Sequence, residues 1–156
     1  MVKFTLLNHA SCLLEFGDFK LLCDPWFEGN TFNDGWGLKW KVEDPLRFIE
    51  KATHLWISHF HEDHLNKQTL EKILEKNENI MILANDSYNF KISFYLKKLG
   101  FKNIIILNER KIYHFKNIIL QRYPATGIDN FLLIEFEGKK YLNLNDVNLS
   151  NKALRL

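Results

Sequence analysis

At 156 residues, with 46% apolar and 14% aromatic side chains, the chain can bury one substantial core and is expected to form one domain. Its 21 Lys+Arg against 19 Asp+Glu leave a formal net charge of +2, which excludes the basic excess of a nucleic-acid or anionic-membrane binder. The start, Met1-Val2-Lys3-Phe4-Thr5, lacks a signal-peptide pattern, and no apolar run approaches the roughly 18 to 20 residues of a membrane span. A soluble cytoplasmic protein is therefore expected, with no nucleic-acid or membrane partner.

In chain order, Val2–Leu7, Ser11–Phe16 and Phe19–Cys23 read as strands of an antiparallel meander, joined by Asn8-His9-Ala10 and by the tight turn Gly17-Asp18. Asp24-Pro25-Trp26-Phe27 breaks the third strand, and a long ordered loop rich in Gly, Asn and Trp runs to Asp44-Pro45. A short helix at Leu46–Lys51 leads into the apolar strand His54–Ser58. Leu70, Ile73 and Leu74 mark one face of a helix over Thr69–Lys76. Ile80–Ala84 reads as a buried strand and Tyr88–Leu99 as a helix stopped by Gly100. The pattern then returns to β at Ile104–Leu107, Lys111–Phe115, Ile118–Arg122, Phe131–Phe136 and, after Glu137-Gly138-Lys139, Tyr141–Leu144. Cys12 and Cys23 lie inside apolar runs, as small buried thiols do.

Three of the six histidines and one aspartate fall in the run His59-Phe60-His61-Glu62-Asp63-His64, directly after an apolar strand. Imidazole and carboxylate are the side chains that hold zinc and related first-row metals, and a loop leaving a strand can aim His59 and His61 at one position while Asp63 and His64 turn toward a second. The spacing suits two adjacent metals. A polar loop of merely solvated histidines is the bland alternative; it suits a lone histidine better than four such residues in six.

The run Ile57-Ser58-His59-Phe60-His61-Glu62-Asp63-His64 resembles the metal-binding loop of the metallo-β-lactamase superfamily. Asn8-His9-Ala10-Ser11, Leu21-Leu22-Cys23-Asp24-Pro25-Trp26 and Tyr141-Leu142-Asn143-Leu144-Asn145-Asp146 resemble the branch that includes lactonase-like enzymes and the hydrolase-like domain of CMP-N-acetylneuraminate hydroxylase. The resemblance implies an α/β fold, the amino-terminal portion of an αββα sandwich with a mixed sheet and flanking helices. It also implies one or two Zn2+ ions, with Mn2+ or Fe2+ as alternatives. His59 and His61 would hold the first metal, Asp63 and His64 the second, and Asp146 would bridge them. Asp63 would also act catalytically on water, and Asp24 would orient a ligand histidine from behind. His9, Trp26 and Trp36, with Trp40, read either as pocket walls or as turn and core residues.

Two departures from that pattern stand out. No histidine occurs between Ile119 and Asp129, where the family supplies a further ligand; His114 and Asp129 are the nearest substitutes. Residues 1–156 would also correspond to the first half of such a domain, with the second half and its last ligand missing. The expected function is metal-dependent hydrolysis of an ester, lactone or phosphodiester. The alternative is a non-catalytic binding or interaction module, and self-association through an uncovered sheet face is expected in either case.

Overall fold

The computed structural model describes residues 1–86, 90–125 and 127–147. Among these residues ten strands form two sheets. The first has the order β1 (Val2–Asn8), β2 (Ser11–Phe16), β3 (Phe19–Cys23), β4 (His54–Ile57), β5 (Met81–Ala84), β6 (Ile104–Ile106). Its first three strands are antiparallel, because two-residue turns reverse the chain. From β3 onward the pairing is parallel, because α1 (Pro45–Lys51), α2 (Lys67–Lys76) and α3 (Ile92–Leu99) lie in the connections. The second sheet is an antiparallel meander in the order β10 (Lys139–Asn143), β9 (Asn130–Phe136), β8 (Ile118–Pro124), β7 (Ile112–Phe115).

The alternation of side chains along the first sheet defines its two faces. Leu13, Leu22, Leu55, Ile57, Ile82 and Ala84 pack with Ile49 of α1, Leu70 and Ile73 of α2, and Ile92 and Leu96 of α3. Their neighbours Cys12, Phe16, Leu21, Cys23, Trp56 and Leu83 point the other way and meet Ile118, Leu120, Leu132, Ile134 and Phe136 of the second sheet. Each fully buried Leu or Ile contributes about 1.5–3 kcal/mol, so both faces are needed to order the central sheet. The result is a helix layer, a mixed sheet and a second sheet. Cys12 and Cys23 are direct cross-strand neighbours, free and buried between the sheets.

The elements depart from the sequence reading mainly at their ends. The start of the expected helix Tyr88–Leu99 lies outside the described residues at Tyr88. The described helix begins at Ile92, where the Asp86 carboxylate accepts hydrogen bonds from Ser93 N at 2.9 Å and Ser93 Oγ at 2.7 Å. The last strand begins at Lys139, two residues earlier than expected. Glu137 and Gly138 both take positive φ (49° and 72°), which closes a two-residue hairpin and pairs Lys139 with Phe136. Asn66 caps α2 by accepting from Thr69 N at 3.0 Å, so the histidine loop runs straight into that helix. Among the described residues no helix is long and apolar enough to cross a membrane.

At the opposite end of the sheet from the histidine loop, His54 stacks on Phe19 with ring centroids 4.1 Å apart and meets Phe115 edge-on. Burial pushes its pKa down to about 4 from an ordinary value of 6.5. Between those values the unfolded chain takes up a proton that the folded chain refuses. The stabilising contribution is therefore complete above pH 6.5 and is lost as pH falls toward 4. The fall in Tm between pH 7 and pH 4.5 should be smaller in His54→Phe, which keeps the stack, than in the wild type. Equal falls would show that His54 is not responsible.

Candidate metal centre

The histidine loop leaves the carboxyl end of β4, where parallel sheets place their binding sites, and several other chain segments converge on it. Asp24 follows β3 directly. It is fully buried at φ 41°, and its Oδ1 accepts from Ser58 N at 2.8 Å at the base of the loop. Its backbone N donates to Trp56 O at 2.9 Å, extending the β3–β4 pairing up to the site. The Asn8–Ser11 segment braces this turn. Ser11 Oγ donates to Asp24 O and accepts from Trp26 N, both at 2.9 Å, and Asn8 Nδ2 donates to Trp26 O at 2.9 Å.

His64 is the hub. It has no exposed surface, and its Nδ1 lies 3.2 Å from Asp24 Oδ2. Its Nε2 faces Asp63 Oδ2 at 3.4 Å and Asp146 Oδ2 at 3.3 Å but makes no hydrogen bond. Burial disfavours the charged imidazole, yet the neighbouring carboxylates of Asp24 and Asp63 outweigh it and raise the pKa to about 10. The reciprocal holds at Asp63: burial pushes its carboxyl up, but His64 and His9 pull it well below the usual carboxylate range. His9 Nε2 sits 2.7 Å from Asp63 Oδ2. His59 is buried with Nδ1 2.9 Å from Ser58 Oγ, and its Nε2 lies 2.9 Å from Nδ1 of the exposed His61. Burial, followed by the neighbouring His64, lowers the pKa of His59 and keeps the ring neutral, as a metal ligand must be.

Among the described residues two groups of donor atoms are close enough to share an ion: His9, Asp63 and His64, and His59, His64 and Asp146. Asp146, which follows β10, is half exposed and is the contribution of the second sheet. His61 joins neither group. His114 is on the outward face of the second sheet, in register with Ile119, and so cannot substitute for the ligand the sequence lacks. Asp129 is near enough to His59 to act on its charge, as the weakest of the influences there.

Three residues that the sequence reading passed over hold the loop in place. Asn85, directly after β5, and Asn130, at the start of β9, both direct side-chain N–H groups at Ser58 O. Glu62 accepts from Phe32 N at 2.5 Å, fastening the tryptophan-bearing loop to the histidine loop. Asn85 occupies the position after its strand that Asp24 occupies after β3, and that parallel is the one signal that could have found it.

A cleft of about 500 Å³ opens beside His9, walled by Trp26, Trp36 and Trp40 with Lys39 at its rim. Trp26 is both wall and core: it is 2% exposed, and its Nε1 donates to the carbonyls of Glu28 and Gly29, each at 3.1 Å. Trp36 and Trp40 are more than half exposed.

A helix-backed mixed sheet facing a second sheet, with histidines and carboxylates gathered at the strand ends, defines a metallo-β-lactamase-type domain. The chain belongs to the family described as the beta-lactamase superfamily domain, whose model matches residues 3–133. It is 30% identical over 160 residues to the cytidine monophosphate-N-acetylneuraminic acid hydroxylase of Xenopus laevis, an alignment that covers 96% of this chain and 26% of that protein. It thus spans about a quarter of that relative's length. By structure it is similar to a possible metal-dependent hydrolase from Veillonella parvula (TM-score 0.75, 16% identity, 96% of this chain and 64% of that one). It is also similar to CmlA, a diiron beta-hydroxylase from Streptomyces venezuelae (TM-score 0.73, 20% identity, 97% and 31%).

The fold family implies a bound divalent metal, and the donor set fits one. The buried His64 Nε2 has no hydrogen-bond partner. It lies 3.4 Å from the carboxylate oxygen of one donor group (Asp63) and 3.3 Å from that of the other (Asp146), each the spacing of about 3.3–3.4 Å that a pair of ligands at about 2.0–2.1 Å takes around a tetrahedral ion.

Proposed function

We propose that this chain is a metal-dependent hydrolase domain that cleaves an ester, lactone or phosphodiester bond of a small molecule, with Zn2+ as the first candidate metal and Mn2+ or Fe2+ as alternatives. The observation that carries the reading is the buried His64 Nε2 without a hydrogen-bond partner, facing Asp63 and Asp146 beside the aromatic cleft. His59, Asp63, His64 and Asp146 would hold metal, with His61 next to His59 at the exposed rim. A divalent metal held there would supply Lewis acidity and bring the pKa of water down to about 7.

The side chains do the rest. Asp24 Oδ2 and Ser58 Oγ, 3.2 and 3.4 Å from His64 Nδ1, hold the ring so that Nε2 faces the metal position. Asp63, held as the anion by His64 and His9, offers a carboxylate oxygen that orients water for attack. Trp26, Trp36 and Trp40 supply apolar walls against which a substrate ring can lie, and they exclude water beside the reacting bond.

A panel of aryl esters, lactones and bis-aryl phosphodiesters, assayed with Zn2+, Mn2+ or Fe2+, tests the reading. Turnover of one class that falls at least about 100-fold in Asp63→Ala is expected, because the variant loses a metal donor and the oxygen that positions water. No metal-dependent turnover of any class would contradict it.

One observation favours a second reading, a non-catalytic metal-binding module. Among the described residues no third donor joins His59 and His61 as a pair, so the first position is short of ligands. Stoichiometric metal without hydrolysis of any of the panel would support that reading instead.

A further inference from the structure

The metal-binding reading leaves the Asp63–His64 position with two side chains of its own, and the structure brings a third to it from 54 residues away. His9 Nε2 is 2.7 Å from Asp63 Oδ2, and one donor atom from each of His9, Asp63 and His64 lies within 4.8 Å of the others. We propose that His9 is a direct ligand of the metal held by Asp63 and His64, so that the turn between β1 and β2 completes that position. The inference rests on the metal-binding reading above and extends it to a residue outside the histidine loop.

Two backbone irregularities flank the residue, and both act to aim it. The β1–β2 register slips between Leu6 and Asn8, an extra residue of the kind that re-aims side chains near sites. His9 itself takes φ 38°, a conformation that Asn or Gly would adopt more cheaply. A non-glycine residue held there costs on the order of 1–3 kcal/mol, and such strain persists where the surroundings over-determine it. Those surroundings are specific. Trp26 and Trp36 meet the His9 ring edge-on at 5.5 and 6.2 Å, and His64 lies 6.0 Å away. Asn8 and Ser11, on either side of the turn, are hydrogen-bonded into the Asp24–Trp26 segment behind it. A histidine placed only to close a hairpin needs none of this. Nor would it stand over a buried imidazole nitrogen that has no hydrogen-bond partner.

The competing role is that of a positioning residue, with His9 Nε2–H donating to Asp63 and never touching metal. Two substitutions separate the roles. His9→Gly removes the imidazole and relieves the positive φ, so it tests the ligand without penalising the turn. His9→Gln keeps an N–H donor for Asp63 but supplies a poor ligand. The metal-free full chain would be titrated with Zn2+ in competition with a chromophoric chelator, and the Co2+ form followed by its visible absorption.

Wild type is expected to take up Zn2+ with His9-dependent affinity. Both variants should bind at that position more than about 100-fold more weakly, beyond the range seen when only an outer hydrogen bond is lost. Added imidazole should restore binding and the Co2+ spectrum to His9→Gly, and metal-free His9→Gly should melt no lower than wild type. Binding by His9→Gln within a few-fold of wild type would overturn the ligand role while leaving the metal site standing. A wild-type chain that binds neither ion would overturn the metal-binding reading and this inference together.

Discussion

Asp24→Ala should lower stability by about 3–5 kcal/mol and weaken metal binding by about 10–100-fold, although Asp24 is not itself a proposed ligand. The carboxylate is fully buried and has two tasks. One oxygen accepts from Ser58 N at 2.8 Å and the other faces His64 Nδ1 at 3.2 Å. Alanine leaves a buried N–H unpaired and removes a counter-charge from an imidazole that Asp24 and Asp63 together hold protonated in the metal-free chain. Asp24→Asn should fall between, since one amide oxygen must then serve both donors. Urea unfolding of the metal-free proteins, with chelator competition on the loaded ones, measures both effects. A wild-type midpoint for Asp24→Ala would mean that the base of the loop is held by something else.

Trp56→Ala should cost a comparable 3–5 kcal/mol for a different reason. Trp56 precedes the loop by two residues but points away from it, into the layer between the sheets with Leu21, Leu83 and Leu132, and it has no exposed surface. Truncation opens a cavity at the point where the two sheets are joined. Its indole Nε1 is buried without a hydrogen-bond partner, so Trp56→Phe removes a desolvation penalty along with part of the ring and should lose much less. Because the Trp56 backbone carbonyl that receives Asp24 N is unchanged, Trp56→Ala should still bind metal wherever it remains folded. Loss of metal from folded Trp56→Ala would show that the site depends on the layer between the sheets as well as on its own hydrogen bonds.

Much of this was legible in the sequence because it is local. The alternation of apolar residues in β2 to β5 assigns each side chain to one face, and four metal-compatible side chains in six residues after an apolar strand leave little else to read. What could not be read is what acts across distance. The braces Asn85 and Asn130 meet at one carbonyl of Ser58, and Glu62 reaches Phe32, with no pattern in the chain to announce either. The Asp86 cap that fixes the described start of α3 is hidden in the same way, because a helical period does not show which carboxylate closes the first turn. The choice for His9 between pocket wall and turn residue depends on Asp63, 54 positions later. His114 was a candidate by order alone, and strand parity turns it outward. Trp26 fitted neither alternative, since the same indole fills core and faces the cleft.

The central claim is that the loop and its partners form a real metal site, and elemental mass spectrometry tests it most directly. The 156-residue chain purified without chelator would be compared with His59→Ala and Asp63→Ala. Between about one and two equivalents of zinc, manganese or iron per wild-type chain are expected, as for one or two sites of this donor type, with a loss in both variants. Wild-type protein with no stoichiometric metal, even after Zn2+ is added back, would contradict it.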